Sequence, residues 1–151
     1  MIAVDTNVIV RFLTRDDEAQ YLKAYRIFAE SALLFIPTTV ILETEWVLRF
    51  SYRFPSDRIG YALSGLLGLT NVMTENKAAV FNALAWHQQG MDFADALHLA
   101  CSSSANEFVS FDKKLINKAI GLNVDIKLID PSTLPRRWIN NSSKSSIPYC
   151  L

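Results

Sequence analysis

A chain of 151 residues, half of them apolar and a fifth charged, can bury one sizeable core and is short for two. Fifteen basic residues balance fifteen acidic ones, which excludes capture of nucleic acid by global charge, so such a partner needs a local basic patch. Only Cys101 and Cys150 are present, which argues against a disulfide scaffold or a cysteine-rich zinc site and points to a reducing, cytoplasmic compartment.

The opening Met1-Ile2-Ala3-Val4-Asp5 lacks the basic region of a signal peptide and reads as a strand over Ile2 to Val4. Helical patterns follow over Val8 to Leu13 and Glu18 to Ser31, then a strand at Leu34 to Ile36. The apolar stretch Leu33 to Leu42 is broken by Pro37-Thr38-Thr39 and is far shorter than the roughly 20 residues of a membrane span, so a soluble, unexported protein is expected. Helices are expected over Thr39 to Phe50 and Arg58 to Leu67, a strand at Val72-Met73, and helices over Lys77 to Gln88 and Phe93 to Ser103. Strands at Phe108 to Ser110 and Ile126 to Leu128 flank a last helix, Lys113 to Ala119. Asp17, Ser56, Thr74 and Asp92 stand where N-caps belong. Five short strands alternating with helices predict an α/β fold, an α/β/α sandwich with a mainly parallel central sheet. Residues 1 to 130 form that domain. Residues 131 to 151 form an extension, mobile beyond about residue 139, where Asn140 to Ser146 offer little apolar surface to offset ordering.

Four carboxylates stand in apolar company. Asp5 follows the first strand and Asp112 follows Phe108-Val109-Ser110-Phe111, so parallel strands place both at the ligand-binding edge of the sheet. Glu43 lies between Ile41-Leu42 and Trp46-Val47, and Asp95 lies within Phe93 to Leu97, so burial is expected for both. Buried carboxylates require cations or protons. Oxygen donors without His or Cys select Mg²⁺ or Mn²⁺, and such an ion can activate a water against a phosphodiester. Each acid also has a structural reading: Asp92 caps a helix with Asp95 reaching back to it, Asp112 caps the helix from Lys113, and Glu43 pairs with an Arg of another helix. Glu45, two residues on from Glu43, is expected to face outward.

Taken in order, Ile2 to Val8 with Arg11 to Asp17, Pro37 to Leu48, Asp92 to Ala100, and Ser110-Phe111-Asp112 resemble the four acidic motifs of PIN-domain ribonucleases of the VapC toxin type. The resemblance spans residues 1 to about 130. It implies a Mg²⁺/Mn²⁺ site and catalytic centre of Asp5, Glu43, Asp95 and Asp112. Asp92 would be an accessory acid, and Thr6, Asn7 and Ser110 would supply supporting hydrogen bonds. It further implies endonucleolytic RNA cleavage by a homodimer held in check by a small antitoxin protein. The segment Asn140 to Leu151 has no counterpart in the resemblance.

Arg11, Arg15, Lys113, Lys114, Arg136 and Arg137 are candidate phosphate contacts, although charged residues of this kind are usually solvated surface. Trp138 beside the last two either stacks a base or packs on the sheet edge. His98, three residues after Asp95, reads as a packed, hydrogen-bonded side chain, and His87 as a partner of a helix C-terminus. Phe12, Tyr21, Tyr25 and Phe28 form a helix-packing stripe or a partner face. The rivals to a toxin nuclease are a non-catalytic PIN-like module that binds RNA or protein and a housekeeping RNA-processing nuclease. An aspartyl phosphotransferase is disfavoured because Asn7 stands where that chemistry wants a second Asp.

Overall fold

Each of the five apolar runs becomes a strand of two or three residues in the computed structural model, which describes residues 1–133. Arg136, Arg137, Trp138, Cys150 and the polar segment from Asn140 lie outside the described residues. The chain divides into two units, Met1–Ser103 and Ser104 onward. The first holds β1 (Ile2–Ala3), α1 (Thr6–Thr14), α2 (Glu18–Glu30), β2 (Leu34–Phe35), α3 (Thr38–Phe50), α4 (Ser56–Gly68), β3 (Val72–Met73), α5 (Lys77–Gln88) and α6 (Phe93–Cys101). The second holds β4 (Glu107–Val109), α7 (Lys113–Gly121), β5 (Lys127–Ile129) and a 3₁₀ turn, Pro131–Thr133.

The fold is α/β, and among the described residues every strand pairing is parallel. In the first unit the strand order is β1-β2-β3, with Ile2 opposite Leu34 and Leu34 opposite Val72. In the second unit β4 pairs with β5 from Glu107–Lys127 to Val109–Ile129. Parallel neighbours require crossover segments, and the intervening helices supply them. The first unit's core is fully buried aliphatic and aromatic surface, with Ile9, Leu34, Ile41, Leu63, Leu84 and Phe93 sealed from solvent. Among the described residues no helix is long and apolar enough to cross a membrane.

Short polar side chains start most of the helices. Asp5 caps α1, Asp17 caps α2, Asn76 caps α5, Asp92 caps α6 and Asp112 caps α7, each accepting a backbone N–H of the first turn. Two expected caps are corrected. Ser56 is the first helical residue of α4, behind Pro55, which provides no side-chain bond. Thr74 stands too early, and Asn76 Oδ1 takes the Ala79 N–H at 3.0 Å instead.

Pro37 has no polar side-chain atom to cap α3, and Glu75, 37 positions on from Thr38, does so. Glu75 accepts from Thr38 N at 2.8 Å and Thr38 Oγ1 at 2.6 Å, with Thr74 Oγ1 at 3.0 Å. Burial alone would raise the Glu75 carboxyl, but these donors outweigh it and hold it below its usual range.

A second polar knot ties the α1–α2 turn to the end of α3. Asp16 accepts from Tyr52 Oη at 2.6 Å, Arg11 Nη1 at 2.5 Å and Thr14 Oγ1 at 3.0 Å. The hydrogen bond from Tyr52, then that from Arg11, keeps the Asp16 carboxyl well below the ordinary carboxylate range. The unfolded chain therefore takes up this proton at higher pH than the folded chain. The knot contributes fully above about pH 4 and is lost as pH falls toward the folded-state value. Asp16→Asn is expected to flatten the fall of stability below about pH 4, measured by urea unfolding across pH. A slope equal to wild type would remove Asp16 from the acid response.

Candidate active site

Asp5 leaves the end of β1 and becomes the N-cap of α1, its Oδ1 accepting from Val8 N at 3.2 Å. The next residue, Thr6, is buried and donates its hydroxyl to Glu43 Oε2 at 2.5 Å, bonding α1 to α3 across 37 positions. This bond sets Glu43 beside the start of α1. Asp95 occupies the first turn of α6, where Asp92 Oδ1 caps both Ala94 N (2.9 Å) and Asp95 N (3.3 Å). Three of the expected acids thus stand at or near helix starts in the first unit. The capping readings of Asp92 and Asp112 hold, and they fix where these carboxylates sit.

The expected burial of the acids is corrected. Asp5, Glu43, Asp92 and Asp112 are exposed and Asp95 is half-buried. The sealed acid of α3 is Glu45, only 1% exposed, against the outward position expected from the sequence. The helix buries Ile41, Thr44, Glu45 and Leu48, a stripe at i, i+3, i+4 and i+7, and that stripe carries Glu45 inward.

Its charge is met one turn later. Arg49 Nε lies 2.7 Å from Glu45 Oε1 and Nη2 lies 3.4 Å from Oε2, and the hydrogen bond to Glu45 raises the guanidinium's own proton affinity. Arg49 Nη2 also lies 3.8 Å from Asp92 Oδ2, joining α3 to the cap of α6. His87 is buried against Phe93 rather than merely sitting at a helix end. Its Nδ1 lies 2.8 Å from the Met91 carbonyl, which can only accept, so Nδ1 carries a proton. Its Nε2 has no hydrogen-bond partner among the described residues and faces Glu45 Oε1 at 3.6 Å.

The second unit carries Ser110 and Asp112. Asp112 Oδ1 accepts from Lys114 N at 2.8 Å and Leu115 N at 3.0 Å. Ser110 Oγ in turn accepts from Asp112 N at 3.0 Å, bracing the turn that presents the carboxylate. Lys113 and Lys114 are exposed in the first turn of α7.

The other candidates divide. Arg11 is engaged by Asp16 and Gln20. Arg15 pairs with Glu18 at 2.8 Å and lies over the Tyr21 ring, on a left-handed backbone at φ 53°. Both guanidiniums therefore have intramolecular partners. Asn7 is exposed and lines a cavity of about 160 Å³ between α1 and α2, with Arg11, Gln20 and Lys23. His98 is exposed rather than packed. Phe12 stacks on buried Phe28 at 4.4 Å, the helix-packing use of the stripe, whereas Tyr25 is half exposed beside Tyr21.

Carboxylate oxygens without His or Cys are the donor set of a hard divalent cation. As the side chains stand, no group of three His, Cys, Asp or Glu among the described residues gathers closely enough to hold a metal ion.

The family model of the PIN domain matches residues 2–121. The chain therefore belongs to the PIN domain family. No curated protein matches the sequence. Among solved structures, the chain is similar to VapC20 of Mycobacterium tuberculosis, described as a sarcin-ricin loop cleaving toxin. The two are 21% identical with a TM-score of 0.41, over 78% of this chain and 94% of that one.

Proposed function

We propose that this PIN-domain chain is a Mg²⁺- or Mn²⁺-dependent endoribonuclease acting as the toxin of a toxin–antitoxin pair. On this reading it works in the cytoplasm as a homodimer and is restrained by a small antitoxin. The observation that carries the reading is the family match over residues 2–121, a span that contains Asp5, Glu43, Asp95 and Asp112. Asp5, Glu43, Asp95 and Asp112 are the acids assigned to the ion, with Asp92 accessory to them. Their donor chemistry, carboxylate oxygens without His or Cys, fits it. When bound, such an ion makes a water acidic enough to attack at neutral pH and offsets charge on the phosphoryl oxygens.

The chain's own side chains do the placing. The cap on α1 fixes Asp5, the Thr6 hydroxyl holds one oxygen of Glu43, and the Asp92 cap sets the turn that carries Asp95. Ser110 braces Asp112, and Lys113 and Lys114 are exposed cations suited to RNA phosphates.

The test is incubation of purified protein with total RNA, with and without Mg²⁺ or Mn²⁺, followed by sequencing of new ends. Defined ends that appear only with the ion are expected, and intact RNA under every condition would overturn the reading. Expression of the protein alone is expected to arrest growth, and co-expression of a small neighbouring gene to relieve the arrest. Harmless expression of an active enzyme would favour housekeeping RNA processing.

A further inference from the structure

One face of α3 carries Glu43, Trp46 and Phe50 at i, i+3 and i+7, a single stripe along the helix. Trp46 is 52% exposed and Phe50 44% exposed, with ring centroids 5.2 Å apart, and the Arg49 guanidinium lies 4.5 Å over the Phe50 ring. An indole presented to water costs solvation unless something covers it. Trp46 is also one wall of a cavity of about 340 Å³ between α3 and α6, the helices that bear Glu43 and Asp95; Leu42, Glu43, Arg49 and Ala94 line it too.

The charge of this cavity selects its occupant. Its acids are Glu43 and Glu45, and its single guanidinium is already paired with Glu45. An anion such as a phosphate would be repelled. A purely aliphatic side chain would leave the Glu43 oxygen that Thr6 does not hold, and the Arg49 edge that Glu45 does not engage, facing apolar surface. A neutral, planar group with an apolar face for the indole and polar edges for the rim satisfies both demands, and that is the chemistry of a nucleobase.

We propose that Trp46 is the stacking wall of a subsite for one unpaired nucleobase of the RNA, next to the scission site. The inference rests on the nuclease reading and names the part of the substrate that this face takes. A base held in a duplex is stacked on its neighbours and does not offer its face to the indole, so the subsite requires single-stranded RNA.

The test uses the full chain carrying Asp5→Asn, so that bound RNA is not consumed, with a short single-stranded RNA and the same sequence annealed to its complement. The single strand is expected to quench tryptophan fluorescence and to bind more tightly than the duplex. Adding Trp46→Ala is expected to weaken single-strand binding roughly 5- to 150-fold. Trp46→Phe should restore most of the affinity while abolishing the quenching, which a merely structural role for the indole would not do. In the active protein, Trp46→Ala is expected to raise KM for single-stranded RNA far more than it lowers kcat.

If wild type cleaves RNA and Trp46→Ala cleaves single strands with unchanged kcat/KM, the subsite is overturned and the nuclease reading stands. If Trp46→Ala instead converts a dimer to a monomer on gel filtration, the face is a subunit interface and the subsite is likewise overturned. If wild type neither cleaves nor binds RNA, the nuclease reading fails and the subsite with it.

Discussion

Asp5→Asn is expected to reduce RNA cleavage by at least about 100-fold, the upper end of what losing a supporting partner of a metal ligand costs, while leaving the fold intact. The two effects separate because Asp5 has two roles. Its Oδ1 caps α1 through Val8 N, and asparagine is an equally good cap, so the helix start survives the exchange. The negative charge does not survive, and that charge is what an ion needs. Because that cap survives, thermal stability in chelator should match that of wild type. Asp95→Asn is expected to behave the same way, since the cap of α6 is Asp92 and not Asp95. Initial cleavage rates and a melting curve in chelator, on the same preparations, check both halves. Undiminished cleavage by both variants, free of contaminating nuclease, would remove these acids from the ion site. Lost activity with a collapsed melting curve would assign Asp5 a structural role alone.

Arg49→Met is expected to produce the largest loss of stability among single changes at this site, about 2–4 kcal/mol. Glu45 is sealed from solvent, and its carboxylate is neutralised by Arg49 within hydrogen-bond distance. Removing the cation leaves an uncompensated buried charge, which costs about 3–5 kcal/mol in a fully enclosed pair. The figure is lower here because the Arg49 side chain is 34% exposed, so water screens part of the interaction. In a domain of this size the loss corresponds to a fall in melting temperature of roughly 5–15 °C.

The double change Glu45→Met with Arg49→Met should recover much of that loss, because an apolar pair of similar volume carries no charge to strand. Denaturant unfolding of the two variants and wild type measures both outcomes. A single variant as stable as wild type would show that the Glu45 charge is met by other means.

The acids of the candidate site were legible to different degrees, and the reason is the range of the interactions that place them. Asp92 and Asp112 are legible as caps from their neighbours alone, because an N-cap is a bond to a backbone N–H two or three residues on, whereas Asp5 is legible only as the end of the first strand and its cap of α1 comes from the structure. The same locality made the parallel α/β class readable from short apolar runs separated by helical lengths. Ser56 and Thr74 failed as caps because several polar residues stood near each helix start and only the backbone geometry chose among them.

The faces of α3 could not be read in this way. Apolar residues surround both Glu43 and Glu45, so periodicity did not say which one points inward, and the choice fell on the wrong side for Glu45. The deciding facts were the packing of α3 on α1, α4 and α6 and the Thr6–Glu43 bond across 37 positions. The cap of α3 by Glu75 is of the same kind, a bond between segments that no local pattern connects. Sequence thus determined the order of the helices and the caps Asp17, Asp92 and Asp112, since those bonds close within one turn. Tertiary structure decided which carboxylate is exposed and which is buried with Arg49, since burial depends on what packs against a face from elsewhere in the chain.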